Sequence, residues 1–285
     1  MLRVTDGARM QVKSSLQARE SVLFVMQSAS TANVSTLNRS LEWFGDLGTF
    51  SWNVIRASVT KPFEFREIVR QLDEIGSKSL PLVACAGAAV GAVLALESRH
   101  SLARFGATSM LPAAIVFSVI HEMGPVVTGL VVAGRVGAGI GAELGSMKVT
   151  EQIDAIEASA VNPFKLLAVT RILACIIALP LLTLAADFFG VLTGWVAATL
   201  VDPITLHRFV MKGFAGASFS DFLAPTFRTA VFGLIIGLVA CFQGMRTEGG
   251  TEGVGRSTTS AVVLSSLFVI LADVVLVKLI LVLFP

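Results

Sequence analysis

The sequence has no tyrosine, three cysteines and three histidines, and 15% of its residues are charged. Soluble domains average about 25% charged residues, so this composition argues against an ordinary soluble protein. Cys85, Cys175 and Cys241 are isolated in apolar runs. A cysteine there behaves as a small hydrophobe, so we predict neither a disulfide framework nor a metal site. A net charge of +2 predicts no nucleic-acid partner.

The motifs of hydrolytic catalysis are also missing. Gly250–Ser257 nearly matches a P-loop, but Arg256 replaces the lysine and an apolar helix precedes it instead of a strand. His121 and Glu122 begin like HExxH, but Pro125 stands where the second histidine should be. No GxSxG elbow is present. We therefore predict that this chain is not an enzyme and has no catalytic residue, metal or cofactor of its own.

Long apolar runs dominate the rest of the chain, which is 54% hydrophobic with a mean hydropathy of +0.78. Several runs reach the roughly 20 residues that a helix needs to cross a bilayer. The sequence therefore predicts an all-α membrane protein with five transmembrane helices. We expect Pro180 to kink the third span without ending it. The predicted spans are Leu80–Leu96, Met110–Gly134, Ile172–Leu200, Phe222–Phe242 and Ala261–Phe284.

The segments before the first span are more polar. Residues 1–40 are rich in serine and lack the features of a signal peptide, so we interpret them as a cytoplasmic N-terminal leader. Residues 41–79 alternate apolar and charged positions at helical spacing, which predicts amphipathic helices at the membrane interface. A soluble amphipathic hairpin is the alternative for that segment. Residues 80–285 form the predicted five-span domain.

Basic residues predict the orientation of the spans. Lys and Arg are concentrated before the first span and in the loops after the second and fourth spans. This bias places the N-terminus in the cytoplasm and the C-terminus outside. An odd number of spans argues against an inverted repeat within one chain. A two-fold symmetric pathway would therefore require a dimer.

Charged residues inside the apolar runs are candidates for function because they are costly in a bilayer. Glu122 lies in the middle of the second run beside His121, and Arg228 lies early in the fourth run. A structural ion pair, the polar lining of a pathway and proton coupling all remain open for these residues. We expect Asp187 and Asp273 to be structural.

Glycines recur at four-residue spacing in several runs. Gly137, Gly141 and Gly145 form the longest ladder, which predicts close packing of helix backbones. We interpret this ladder as helix packing and not as a direct ligand site.

A short polar helix is predicted at about residues 150–160. Thr150 suits its N-cap, and Glu151 and Asp154 suit the positive end of its dipole. Ile153 forms an apolar edge with Ile156, and Glu157 extends an acidic row. This pattern is typical of a docking helix that turns its acidic side to a partner, and a solvated loop helix is the alternative.

The segment His121–Pro163 reads HEMGPVVTGLVVAGRVGAGIGAELGSMKVTEQIDAIEASAVNP. Its succession of short motifs resembles the signature of the MlaE/YrbE-type permeases, the membrane subunits of Mce-associated lipid ABC transporters. The resemblance extends from about Leu41 to the C-terminus. Met123, Ile156 and Asn162 depart modestly from the usual pattern. The matching motifs are Glu122–Pro125, Ala133–Gly137, Ala142–Gly145, Thr150–Ala155, Val161–Pro163 and Gly253–Thr259.

The resemblance implies the MlaE-type permease fold in the bacterial inner membrane. It implies transport of phospholipid between the inner and outer membranes, in support of outer-membrane lipid asymmetry. It also implies an outward-facing lipid cavity between two subunits, lined by Glu122 and Arg228, and there His121 would make the cavity sensitive to pH. The alternative from the residues is an ion-coupled secondary transporter that titrates Glu122.

The same resemblance implies several partners. They are a second copy of this chain, two copies of a cytoplasmic ABC ATPase that binds ATP and Mg, and a hexameric MCE-domain protein. A STAS-domain protein is a further candidate. The helix at about residues 150–160 resembles the coupling helix that docks on the ATPase. The expected ATPase-coupling residues are Thr150, Glu151, Gln152, Ile153, Asp154, Ile156 and Glu157.

Overall fold

The computed structural model describes residues 41–58, 64–215 and 219–283. The leader predicted over residues 1–40 lies outside the described residues. The chain divides into two compact units, residues 1–52 and 53–285. Helix α1 covers residues 41–58, with the boundary between the units inside it. Helix α1 is amphipathic, because Phe50, Val54 and Ala57 are buried at helical spacing while Trp52 is exposed.

The second unit contains seven further helices among its described residues. Five of them are long and apolar enough to cross a membrane, which confirms the predicted number of spans and the all-α class. The two short helices lie in connections between spans. The long helices are α2 (Phe65–Arg104), α3 (Thr108–Val149), α5 (Phe164–Thr199), α7 (Phe219–Met245) and α8 (Gly250–Leu283), and the short ones are α4 (Gln152–Ala158) and α6 (Leu206–Gly213).

The helices are longer than the apolar runs that predicted them. Helix α2 has 40 residues without a break at Leu80, so the last part of the segment 41–79, predicted to be interfacial, is continuous with the first span. At 1.5 Å per residue α2 is roughly 60 Å long, twice the hydrocarbon thickness of a bilayer. Its polar first part therefore extends beyond the membrane core. Pro180 lies inside the α-helical part of α5, Thr170–Thr199, and does not end the span.

Two glycines of α2 bring its backbone very close to the backbone of α5. A Cβ placed on Gly91 would overlap the carbonyl oxygen of Gly190, and one placed on Gly87 would overlap the carbonyl oxygen of Ala186. Contacts this close require residues without side chains, because packing replaces the hydrophobic effect between helices in lipid. These glycines allow α5 to pack directly against α2 at Gly190 and Ala186.

The glycine ladder of α3 is looser at one end than at the other. A Cβ on Gly145 would lie 2.8 Å from Thr247 Oγ1, and one on Gly141 would lie 3.1 Å from Ala261 Cβ. The nearest atom to a Cβ on Gly137 is 3.8 Å away, which is ordinary van der Waals contact. The ladder therefore packs α3 on α8 and on the α7–α8 connection, with the α2–α5 pair as the tighter interface.

Asn162 caps the start of α5 at the end of the polar connection that contains α4. Its Oδ1 accepts hydrogen bonds from the backbone N–H of Phe164, at 3.0 Å, and of Lys165, at 3.4 Å. An aspartate would accept the same bonds, so the asparagine at this motif position preserves the capping chemistry. The first turn of α5, Phe164–Val169, is a π-helix.

Helix α6 packs back onto the start of α3. Phe209 is fully buried in an apolar cluster with Leu111, Ile115 and Val116. The connection before α6 is fixed by Trp195, whose Nε1 donates to the carbonyl oxygen of Ile204 at 3.0 Å. Helix α6 therefore closes the end of the bundle opposite α4.

Candidate functional site

Three charged residues from three spans meet inside the bundle. Glu122 belongs to α3, Arg228 to α7 and Asp273 to α8. We call these three residues the polar cluster. Glu122 lies in a π-helical turn, Val119–Met123, which interrupts the α-helical bonding of α3. Such turns occur often at functional sites because they re-aim side chains and free backbone groups.

Arg228 is held by the backbone of that π-helical turn. Its Nη2 donates a 2.7 Å hydrogen bond to the carbonyl oxygen of His121. Pro125, four residues further on, has no N–H to donate to that carbonyl, so the oxygen is available to the guanidinium. The Arg228 side chain is only 3% exposed. The motif therefore supplies a backbone acceptor for a buried cation in addition to its carboxylate.

The two carboxylates of the polar cluster differ in exposure. Glu122 Oε2 lies 3.8 Å from Arg228 Nη2, and Asp273 Oδ1 lies 3.3 Å from Arg228 Nε without hydrogen-bond geometry. The Glu122 side chain is 45% exposed, whereas the Asp273 side chain is 14% exposed. Arg228 therefore faces two carboxylates. Of these, Glu122 is the one that is accessible from the surface of the subunit.

An ion pair between Glu122 and Arg228 was one of the three possibilities left open from the sequence, and the structure brings the two side chains within ion-pair distance. The position of Asp273 as the nearer carboxylate was not predicted. The sequence does show a carboxylate, Asp273, in the last apolar run and a cation, Arg228, in the run before it. That signal gives no distance until the rotation of each helix about its axis is known.

His121 contributes its backbone and an aromatic contact. Its ring stacks on Phe117, with centroids 4.0 Å apart and planes at 21°. Its Nδ1 is buried and has no hydrogen-bond partner. His121 therefore borders the polar cluster, with its ring turned to the preceding turn of α3.

A second buried cation lies near the α4 end of the bundle, and the sequence analysis missed it. Arg171 is 2% exposed at its side chain, and its Nη2 donates to Glu143 Oε1 at 2.7 Å. Its Nη1 donates to the carbonyl oxygen of Leu167 at 2.9 Å. From the sequence, Arg171 was only one of the basic residues in the loop after the second predicted span. Arg135 of the same motif region donates to Ser79 Oγ at 2.7 Å, which ties α3 to α2.

The predicted N-cap of the docking helix is wrong by one residue. The N-cap is Glu151, in the left-handed region with φ 59°, and α4 begins at Gln152. Thr150 instead closes α3, because its hydroxyl donates to the carbonyl oxygen of Ser146 at 2.8 Å. A threonine hydroxyl can bond back to a carbonyl four residues earlier, and that local bond competes with capping.

Helix α4 presents one apolar residue inward and acidic residues outward. Ile153 is 5% exposed, and Ile156 is half-buried. Glu151, Gln152, Asp154 and Glu157 are exposed. Lys148 Nζ lies 2.9 Å from Asp154 Oδ1 and ties α4 to the end of α3. The exposed acidic side chains of α4 are therefore available to contact a basic surface.

The described residues contain no group of three or more His, Cys, Asp or Glu side chains that could hold a metal ion. The side chains of the polar cluster, Glu122, Arg228 and Asp273, are suited to ion pairing and hydrogen bonding.

Comparison with known proteins places these features in context. The family model described as Permease MlaE matches residues 68–279. The chain is 37% identical over 235 residues to a probable ABC transporter permease protein of Rickettsia felis, covering 82% of this chain and 91% of the relative. It is 34% identical over 208 residues to a probable ABC transporter permease protein of Synechocystis, covering 73% and 79%. It is 32% identical over 212 residues to the chloroplastic protein TRIGALACTOSYLDIACYLGLYCEROL 1 of Arabidopsis thaliana, covering 74% and 61%.

Proposed function

Because this chain belongs to the MlaE permease family, we propose that it is the membrane subunit of an ABC transporter that moves phospholipid between the inner and outer membranes. The Arabidopsis relative is named after a glycerolipid, which supports a lipid substrate. The energy comes from ATP hydrolysed by a separate subunit. The chain lies in the bacterial inner membrane, with α4 and the N-terminus in the cytoplasm and the C-terminus in the periplasm.

The observation that carries this proposal is the unequal exposure within the polar cluster. Arg228 is buried and holds Glu122 in place, while the Glu122 carboxylate remains 45% exposed at mid-span. A carboxylate kept accessible inside a membrane span needs a hydrated or polar neighbour. A lipid headgroup that passes along the subunit supplies hydrogen-bond donors to it. Arg228 itself is a positioning residue and does not reach the lipid.

Helix α4 is the proposed contact with the ATPase. Its acidic residues are exposed and its apolar anchor, Ile153, is buried in the subunit. Asp154 of α4 forms an ion pair with Lys148 near the end of α3. Through this contact a displacement of α4 is transmitted to α3, the span that carries Glu122. Two ATPase copies then act on two copies of this chain, with a hexameric MCE-domain protein receiving or delivering lipid. A STAS-domain protein is a further candidate partner.

The ion-coupled alternative differs in the role of Glu122. Glu122 Oε2 lies 3.8 Å from the guanidinium of the buried Arg228, so the carboxylate already has a cationic partner inside the protein, which suits a fixed polar contact. The two functions predict different requirements for energy, so they can be separated by reconstitution.

The test is lipid transfer from vesicles that contain the purified chain, with and without its ATPase and MCE-domain partners. We expect transfer only when both partners and ATP are present, and none when the ATPase carries an inactive nucleotide site. Transfer by the chain alone under a proton gradient would contradict the proposal and favour the ion-coupled transporter.

A further inference from the structure

A cavity of about 460 Å³ lies between α5, α6 and α7, apart from the polar cluster. Its volume is in the range of small-molecule sites, which is roughly 300–1,000 Å³. Its walls are nearly all aliphatic or aromatic. The wall residues that the argument uses are Ile120, Asp187, Val191, Phe222 and Thr226.

Asp187 is the single charged residue among the described residues that line this cavity. It is 7% exposed, and its Oδ1 is buried with no hydrogen-bond partner. The other polar lining group, Thr226 Oγ1, already donates to the carbonyl oxygen of Phe222 at 2.8 Å. A buried carboxylate without a donor is costly in an apolar surrounding. A donor from a ligand in the cavity would reach this carboxylate through its other oxygen, Oδ2, because Oδ1 is buried against Gly124 of α3.

The backbone around Asp187 leaves room for its carboxylate. Oδ1 lies where a Cβ on Gly124 would be, so no larger residue could occupy that position of α3 without displacing the carboxylate. Gly124 is part of the motif that also carries Glu122 and Pro125. This glycine thus permits a carboxylate from α5 to sit against α3.

The cavity and the polar cluster lie on different faces of the same helices. Ile120 and Gly124, which border the cavity and Asp187, are four residues apart and share one face of α3, whereas Glu122 lies between them in sequence and points away. Thr226 lines the cavity and Arg228 belongs to the cluster, and two residues on a helix are about 200° apart. A ligand in the cavity would therefore not contact the cluster.

The geometry points to a binding site for an amphiphile with one alkyl chain and a protonated amine head. The apolar walls take the chain, and the ammonium donates to the Asp187 carboxylate. A hydrogen bond between two ionised groups is roughly twice as strong as one between neutral groups, so an amine fits this acceptor better than an alcohol. A phosphate head is disfavoured, because the described lining residues include no cation to bind it.

The inference can be tested on the full chain purified in a neutral detergent. Native mass spectrometry would measure the binding of tetradecylamine, tetradecanol and tetradecyl phosphate, which share one chain length. We expect the amine to bind about tenfold or more tighter than the alcohol, and the phosphate not to bind. Asp187→Asn, which keeps the shape of the side chain, should remove the preference for the amine and leave alcohol binding unchanged.

Two further variants locate the site. Val191→Phe fills the cavity and should weaken the amine and the alcohol alike, with the melting temperature reported beside it to show that the protein folds. Glu122 lies on the face of α3 that points away from the cavity, so Glu122→Gln should leave amine binding unchanged. Equal binding of amine and alcohol, or an Asp187→Asn variant that keeps the preference, would overturn the inference. Loss of amine binding in Glu122→Gln alone would also overturn the inference. The absence of any bound ligand would overturn it as well, because water would then satisfy Asp187.

Discussion

Arg228 of α7 donates a hydrogen bond to the backbone carbonyl of His121 in α3. That oxygen lacks the usual helical donor four residues further on, because Pro125 has no N–H. The residues His121 to Pro125 therefore do two things at once. They place a carboxylate in the span, and they leave a carbonyl oxygen that fixes the cation opposite it.

Replacing Arg228 with leucine should destabilise the protein strongly. The change removes the cation that faces Glu122 and Asp273 among the described residues and leaves the largely buried Asp273 carboxylate unpaired, at a cost of roughly 3 kcal/mol or more. Thermal unfolding in detergent would measure it. Adding Asp273→Asn to Arg228→Leu should restore part of the loss, because the nearer buried carboxylate is then neutral.

The matched control is Arg256→Leu. Arg256 pairs with Glu252 one turn away, but both side chains are largely exposed, so the pair contributes less than about 1 kcal/mol. Similar losses for Arg228→Leu and Arg256→Leu would show that burial of the cluster contributes nothing to stability.

The number and class of the spans could be predicted from sequence because a bilayer imposes a minimum apolar length. The ends of the helices could not be predicted in the same way. Helix α2 continues through charged residues before Leu80, since a helix can extend into water once its core is fixed by packing. Thr150 failed as an N-cap because its hydroxyl bonds back into α3. Capping rules read the residue type and not the direction of its hydrogen bond.

The candidate site was predictable in part. Glu122 and Arg228 were evident because charges are rare inside apolar runs. The role of Asp273 and the burial of Arg171 depend on helix rotation and contact, which one sequence does not specify. The glycine ladder on α3 was the clearest pattern in sequence, yet Gly91 of α2 and Gly190 of α5 approach each other more closely than any ladder glycine approaches its neighbours. A pattern within one helix does not show which partner helix it meets.

Gly91→Ala should destabilise the protein by roughly 2 kcal/mol or more, since the added methyl group would overlap the backbone carbonyl of Gly190 and neither backbone can move without the other. Thermal unfolding in detergent would again measure it. Gly255→Ala is the matched control, because a Cβ there meets nothing within 4 Å and alanine is favoured in a helix by about 1 kcal/mol. A neutral Gly91→Ala would refute the tight α2–α5 contact.

A photo-crosslinking amino acid in place of Glu122 should capture phospholipid, and the yield should fall during ATP turnover by the partner ATPase. The reason is that position 122 is 45% exposed beside the proposed lipid path, where lipid is replaced during transport. The control is position 93 of α2, where Val93 is 54% exposed. Adducts there should not depend on ATP. Adducts at both positions that ignore ATP would count against a transported lipid at Glu122.

Ala160→Gly should stabilise the end of α4. Ala160 has a φ of 60°, a left-handed conformation that costs a residue with a Cβ about 1–2 kcal/mol and a glycine much less. Hydrogen exchange of the α4 amides should therefore slow in this variant. Ala158→Gly, inside α4, should act in the opposite direction by about 1 kcal/mol. Faster exchange in Ala160→Gly would mean that the turn relaxes to another conformation in solution.

Reversing the charges of α4 should weaken binding of the ATPase and leave the membrane domain folded. In the double variant Glu151→Lys with Asp154→Lys, two exposed carboxylates that we propose to face a basic groove become repulsive. Co-purification with the ATPase should fall at least about tenfold, with a larger effect at low salt because exposed charges are screened. The control is Glu248→Lys with Glu252→Lys, the same change of charge on exposed residues of the α7–α8 connection and the start of α8. Because Thr247 packs against Gly145 near the end of α3, that control lies at the same end of the bundle as α4. If both double variants lose the ATPase equally, net charge and not the position of α4 governs the interaction, and if neither loses it the proposed coupling role of α4 is wrong.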